Sequence, residues 1–139
     1  MLRERAQLTA VGAPAVPLER FGELEAGDVL FVDTTHTVKA GGDVNHIVFE
    51  VLPRIRAGVI VHFHDVFLPW EYPRDWLERQ GRYWCEQYLL QAFLMFNGEW
   101  RVVFGANAVA QEFPAELREI VPSFHSGIEP GALWIERVA

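Results

Sequence analysis

Two runs of apolar residues predict the first strands of the chain. Val29–Val32 lies between Asp28 and Asp33, and residues 59–64 form the second run. Continuous apolar runs of this length are typical of strands buried on both faces of a parallel sheet. Between the runs, apolar residues recur at spacings of three, four and seven, as on one helix face: Val44, Ile47, Val48, Val51, Leu52 and Ile55. The order strand, helix, strand predicts a right-handed βαβ crossover.

The remaining segments predict one domain over residues 1–139, a length that fits a single core. Residues 1–27 are expected to form a connector and a short helix, and residues 28–139 the α/β core. A longer helix is predicted near residues 83–96, with one apolar face that should be buried: Trp84, Tyr88, Leu89, Ala92, Phe93 and Phe96. Residues 100–104 and 132–138 read as a third and a fourth strand.

Composition narrows the class of protein. Half of the residues are hydrophobic and 22% are charged, which favours a globular fold over a disordered chain. The net charge of −7 leaves no basic patch for nucleic acid. The single cysteine, Cys85, excludes an internal disulfide and a multi-cysteine metal site. No apolar run reaches the length of a bilayer span. We therefore expect a cytoplasmic protein with no nucleic-acid or membrane partner.

Polar residues follow both predicted parallel strands at their carboxyl ends, where ligands bind in open α/β sheets. The first strand ends in Asp33 and leads to His36, while the second runs out through His64 into Asp65. Carboxylates and imidazoles together suit a divalent cation and general base catalysis. We expect Asp33 and Asp65 to bind the cation and His36 or His64 to serve as the base. The alternative for each aspartate is a capping role in the following turn.

Aromatic residues after the second strand are candidates for binding a substrate. Trp70 and Tyr72 lie in a Pro-bounded loop that leaves the same sheet end, outside the predicted helical stripe. His62 shares a strand face with His64, and we interpret it as a packed core residue rather than a ligand.

Several short sequences together resemble the C-terminal half of class I S-adenosylmethionine-dependent methyltransferases of the methyltransferase-24 type. They are residues 28–36, 42–45, 50–54, 58–69, 72–74 and 86–93. The resemblance implies an α/β fold with a partial Rossmann-like sheet, strands 4 to 7 of the seven-stranded methyltransferase fold, and helices on both faces. Val29–Val32 would be strand 4 and residues 59–64 strand 5. The implied reaction is methyl transfer from S-adenosylmethionine to the hydroxyl of a small-molecule acceptor.

The chain departs from this family at two places. The family holds its cofactor with a glycine-rich turn after the first strand, and no such turn occurs here before residue 28. In cation-dependent relatives an Asp ends strand 4 and an Asp-Asn pair ends strand 5. Asp33 and Asp65 match that pattern, but Val66 stands in place of the Asn, so His36 or His64 would have to replace the missing ligand. Such mixed ligands favour Mn²⁺, Fe²⁺ or Zn²⁺ over Mg²⁺.

These departures leave two hypotheses open. The first is a methyltransferase-like half-domain that binds S-adenosylmethionine weakly or not at all on its own, and whose activity alone is undecided. The second is a non-catalytic α/β module for binding or oligomerisation. Without strand 1, Val29–Val32 would be a sheet edge that invites pairing. We expect a homodimer or a partner supplying the missing N-terminal half, unless residues 8–11 fold back over the edge.

Overall fold

The computed structural model describes residues 8–125 and 127–139. Its four strands form one sheet with the order β1-β2-β4-β3. β1 and β2 are parallel, whereas β4 runs antiparallel to both β2 and β3. Their bounds are β1 Val29–Val32, β2 Ile60–His64, β3 Trp100–Gly105 and β4 Ala132–Arg137. This mixed sheet, with helices beside it, confirms the predicted α/β class.

Short helices connect the strands. The α-helices are α1 Leu18–Phe21, α2 Asp43–His46, α3 Arg74–Glu78, α4 Glu86–Leu94, α5 Ala106–Glu112 and α6 Pro114–Ile120. Helix α2 continues as a π-helical turn over Ile47–Val51 and a 3₁₀ turn over Leu52–Arg54. The helix ends there because Pro53 lacks an N–H to continue the ladder.

The predicted crossover is confirmed, and its apolar stripe supplies much of the core. All six predicted positions of the stripe are buried. All of them except Val44 belong to one cluster with side chains from one face of the sheet: Val32, Val61, Phe63, Leu133 and Ile135. Leu90 of α4 belongs to the same cluster. Since strand side chains alternate, His62 and His64 lie on the opposite face of β2.

Gly58 makes the turn into β2 possible. Its φ of +84° lies in the left-handed region, and a Cβ atom there would lie 2.6 Å from the Cβ of Ala26. Only glycine avoids both the backbone strain and the clash. Its N–H also donates to the carbonyl of Arg137, which ties the turn to the end of β4.

Three expectations for the helices and the first segment need correction. The face of α4 that is buried carries Glu86, Gln87 and Leu90, whereas Phe96, predicted on the buried stripe, is fully exposed. Residues 105–131, read as irregular, contain α5 and α6. Of the predicted connector, residues 1–7 lie outside the described residues, and residues 8–11 make no strand pairing with β1.

Candidate functional site

The carboxyl ends of β1 and β2 lie side by side because the two strands are parallel and in register. Asp33 and Asp65 therefore approach the same imidazole. His36 Nε2 lies 3.3 Å from Asp33 Oδ1 and 4.0 Å from Asp65 Oδ2. The two oxygens are less than about 8 Å apart, the limit for bridging through one cation and a water. The predicted proximity of these two carboxylates is confirmed.

His36 is fixed by its backbone and by an aromatic neighbour. Its φ of +54° is unusual for a residue with a side chain and turns the loop after β1 sharply. Its carbonyl oxygen accepts hydrogen bonds from the backbone N–H groups of Cys85 and Glu86. The ring lies 4.1 Å from the ring of Trp84, and the residue is only 5% exposed. The imidazole is therefore held rigidly beneath the surface of the site.

Glu86, at the start of α4, holds the other side of the imidazole. Its Oε2 lies 2.8 Å from His36 Nδ1 in a hydrogen bond, and its Oε1 accepts a 3.0 Å bond from the Thr34 hydroxyl. This carboxylate is buried, so both bonds form away from water. A carboxylate on Nδ1 directs Nε2 of the ring toward Asp33 and Asp65.

The electrostatics of this cluster favour a charged imidazole. Burial lowers the pKa of His36, but the hydrogen bond and charge of Glu86, with the charges of Asp65 and Asp33, outweigh it. The pKa of His36 therefore lies above its usual value. His36 is therefore easier to protonate than a free imidazole, and it lies among three carboxylates.

A second hydrogen-bonded carboxylate shapes the loop after β1. Asp43, the first residue of α2, accepts a 2.8 Å bond from the Thr35 N–H and a 2.7 Å bond from its hydroxyl. Burial raises the pKa of Asp43, but these bonds and one from the Val44 N–H outweigh it, so the pKa lies below its usual value. Gly42 occupies the N-cap position, so Asp43 ties the loop to the helix instead of capping it.

His64 is the more accessible of the two predicted bases. Its side chain is 45% exposed, and its Nδ1 lies 3.1 Å from Asp65 Oδ1. Asp65 itself has a φ of +57°, which turns the chain at the end of β2 and places its carboxylate between His64 and His36. Asp33 is also accessible, with a side chain 55% exposed.

His62 is packed, in agreement with its sequence interpretation. Its ring stacks on Trp134 of β4 at 4.4 Å and contacts Phe31 of β1 at 4.7 Å. Burial and the neighbouring His64 lower the pKa of His62, against a weaker opposing effect of Asp33. The neutral form is therefore favoured.

Trp70 and Tyr72 lie apart from the cluster. Tyr72 is buried, and its hydroxyl accepts a 3.2 Å hydrogen bond from the Gln87 N–H. Burial raises the pKa of Tyr72, so its phenol stays neutral. Trp70 is half-buried, and its carbonyl accepts a bond from the Gln87 side chain. Neither side chain is recorded in contact with Asp33, His36, His64 or Asp65, so their predicted role in substrate binding stays a prediction.

The donor set does not fit the predicted divalent cation. Within residues 8–125 and 127–139, no three His, Cys, Asp or Glu side chains are arranged to hold a metal ion. His36 Nε2 occupies the space between the two aspartates, where a shared cation would have to lie. His36 therefore does not replace the missing metal ligand as expected, because its imidazole takes the place between the carboxylates that a metal ion would need.

Comparison with known proteins agrees with this fold. Residues 3–66, 64 of the 139, match the family described as a methyltransferase domain. The matched part contains β1, α2 and β2 together with Asp33, His36, His64 and Asp65, whereas Glu86 lies beyond it. The fold and this partial match together support a methyltransferase-type α/β domain. No curated protein and no solved structure gave a match. In the part of the chain that the structure describes, no helix has the length and apolar character to span a bilayer.

One residue of the site, Glu86, was beyond sequence reasoning. Glu86 is 50 positions from His36 along the chain, so only the fold brings them together. The one available signal was an acidic residue at the start of an otherwise apolar helix.

Proposed function

We propose that this chain provides the acceptor side of an S-adenosylmethionine-dependent methyltransferase that methylates a hydroxyl of a small neutral molecule. The observation that supports this most strongly is the pair of histidines that lie beside carboxylates at the carboxyl ends of β1 and β2: His36 is hydrogen-bonded to Glu86, and His64 Nδ1 lies 3.1 Å from Asp65 Oδ1. Ligands bind at that edge in open α/β sheets. The family match covers this edge.

In this proposal His64 is the general base. A carboxylate beside Nδ1 orients the ring and stabilises the imidazolium that forms when Nε2 takes a proton. Asp65 lies in that position, and the half-exposed ring is accessible to an acceptor hydroxyl. His36 is a poorer base because its Nε2 already faces Asp33 and Asp65. We assign it the positioning of those two carboxylates.

The charge of the site indicates which acceptors it takes. Asp33, Asp65 and Glu86 surround one imidazole, and the recorded ion pairs of the two aspartates are all with histidine. A carboxylate or phosphate acceptor would meet net repulsion here, so we propose a neutral acceptor. The exposed ring of Phe31, 6.0 Å from the His64 ring, offers an apolar surface for an aromatic acceptor such as a phenol.

The methyl donor is not held by the described residues. S-adenosylmethionine supplies an electrophilic methyl group in this family, whose glycine-rich turn follows strand 1. β1 would be strand 4, and no such turn occurs in the sequence before residue 28. The donor set at this edge is acidic, which does not suit the cofactor's carboxylate. We therefore propose that the cofactor is bound by another polypeptide segment.

Calorimetry with catechol as the neutral acceptor tests this proposal. We expect wild-type protein and His125→Ala, a control far from the strand ends in sequence, to bind catechol alike. The His64→Ala variant should bind it at least about tenfold more weakly, and benzoate should bind to none of them. Equal catechol binding by His64→Ala would contradict the assignment of the base. Micromolar binding of S-adenosylmethionine would contradict the division of roles.

The second hypothesis, a module for oligomerisation, is supported by a different observation. β1 is an outer strand of the sheet, and Val29 and Phe31 on it are 49% and 57% exposed. An uncharged exposed edge strand of this kind favours pairing with another chain. The exposed ring of Phe31 belongs to both surfaces, so a second copy paired with β1 would border the acceptor site.

A further inference from the structure

The outer edge of β1 presents unpaired backbone groups. The carbonyl of Asp28 accepts from the N–H of Ile60, so the backbone groups of Leu30 and Val32 also face β2. Those of Val29 and Phe31 therefore point away from the sheet. No bond from them to another described residue is recorded. Two donors and two acceptors are left at this edge, beside two exposed apolar side chains.

The other outer strand, β3, is protected in a way that β1 is not. Its pairing with β4 is interrupted by an irregularity between Val102 and Phe104. Bulges and charged side chains are the devices by which proteins block pairing at a sheet edge, and β3 also carries the exposed Arg101. β1 has a regular register and no charged residue between Val29 and Val32. Both outer strands expose apolar side chains, so the edges differ in that β1 is regular and uncharged, whereas β3 is irregular and carries Arg101.

We propose that two copies of this chain pair antiparallel through β1, with Leu30 opposite Leu30 of the second copy. Hydrogen bonds between the two copies form only in a register in which the backbone groups that point away from each sheet lie opposite each other. This one places Val29 opposite Phe31 of the second copy, and Phe31 opposite its Val29. Pairs of aromatic and β-branched residues are among the favourable cross-strand contacts. The result is a continuous eight-stranded sheet across the dimer, and the inference does not depend on the methyl-transfer proposal.

The charges around β1 are compatible with this register. Asp28 comes opposite Val32 of the second copy, and Asp33 comes opposite its Gly27. No two aspartates stand directly opposite each other, an arrangement that would destabilise the pair. The strand is therefore self-complementary along its whole length.

A groove beside β1 provides room for the second strand. A cavity of about 450 Å³ lies along the inner side of the edge. Its walls include Val11, Val16, Phe21 and Ile47, and the side chains of Leu30 and Val32 reach it from β1. In the proposed dimer the equivalent Leu30 and Val32 of the second copy point to the same face of the extended sheet. They would fill this groove with apolar surface, which supports a second copy as its occupant.

Sedimentation analysis of the full chain tests the dimer directly. We expect a concentration-dependent dimer for the wild type. The Val29→Lys variant should raise the dimer dissociation constant by about tenfold or more, because each dimer gains two edge lysines. Val102→Lys, the matched control on the β3 edge, should dimerise like the wild type. A wild type that remains monomeric at its highest soluble concentration would overturn the proposal, as would equal effects of the two lysines.

A disulfide trap tests the register without a destabilising charge. In a Cys85→Ser background, Leu30→Cys should give a covalent dimer on mild oxidation, because directly opposed residues of a non-hydrogen-bonded pair lie close enough for an S–S bond. Val102→Cys in the same background is the control and should stay monomeric. If Val102→Cys cross-links as readily as Leu30→Cys, the register and the choice of edge are both wrong.

Discussion

Replacing Glu86 by Gln isolates the buried carboxylate that holds His36. The substitution keeps the shape of the side chain but removes its charge. Glu86 accepts two hydrogen bonds, from His36 Nδ1 at 2.8 Å and from the Thr34 hydroxyl at 3.0 Å. A Gln side chain has one acceptor oxygen, so only one of the two groups keeps an acceptor. The other is left facing an NH₂ group inside the protein.

The expected cost follows from these contacts. A hydrogen bond to a charged group contributes about 1.5–3 kcal/mol, and one of the two is lost. We therefore expect Glu86→Gln to lower the free energy of unfolding by about 2–3 kcal/mol. The control is Glu50→Gln, whose carboxylate is exposed and pairs only with Arg54 on the surface. That change should cost about 0.5 kcal/mol or less.

The pH dependence gives a second, sharper readout. The pKa of folded His36 lies above the value of 6.5 for an unfolded chain. Its contribution to stability is thus fully present below pH 6.5 and is lost as pH rises through the folded pKa. Because Glu86 supplies the strongest effects that raise this pKa, Glu86→Gln should flatten that part of the stability profile.

Urea unfolding followed by tryptophan fluorescence measures both effects, and an NMR titration of the histidine ring protons reports the pKa of His36. Our reasoning would be refuted if Glu86→Gln unfolded within about 0.5 kcal/mol of the wild type. It would equally be refuted if the pKa of His36 stayed unchanged in the variant. Either result would mean that Glu86 does not hold the imidazole.

Three further substitutions test other parts of the fold by urea unfolding. Gly58→Ala should lower the free energy of unfolding by about 1–3 kcal/mol, because a φ of +84° is strained for alanine and its Cβ would clash with Ala26. The control Gly98→Ala should have a smaller effect, because no atom lies within 4 Å of the added Cβ. Phe63→Ala should cost about 3–5 kcal/mol, because that ring is fully buried. Asp43→Asn should lower the free energy of unfolding by about 1 kcal/mol at neutral pH. The wild type loses the stabilising contribution of Asp43 as the pH falls below 3.8 through the lowered pKa of this carboxyl, and the variant should not show that loss. Values near zero for any of these three would contradict the contacts described.

Much of the crossover could be predicted from sequence because its signals are local. The spacing of Val44, Ile47 and Val51 marks one helix face whatever the rest of the fold does. Asp33 and Asp65 could likewise be placed together, since the carboxyl ends of parallel strands meet at one edge. Here local pattern and tertiary structure agree.

The errors at α4 have a different physical origin. Hydropathy alone predicts that Phe96 is buried and Glu86 exposed, yet the reverse is true. Glu86 is stable inside because His36 and Thr34 satisfy its oxygens. The side chain of Gln87 is likewise satisfied, since its Oε1 accepts from the Phe67 N–H and its Nε2 donates to the Trp70 carbonyl. Such partners come from distant parts of the chain, so no local pattern reports them.

The short helices α5 and α6 were missed for a simpler reason. Each spans seven residues, too few for a clear apolar period, and they are separated only by Phe113. Pro114 reads as a helix breaker in sequence, but it occupies the first position of α6, where its missing N–H costs nothing.

NMR of the histidine ring protons during a catechol titration tests the central claim, that an acceptor binds at the carboxyl ends of β1 and β2. The account predicts progressive shifts for His64 and His36, whose rings share the carboxylate of Asp65. His125, an exposed residue outside the cluster, should not shift. Unchanged His64 and His36 signals at saturating catechol, or shifts confined to His125, would contradict the proposed acceptor site.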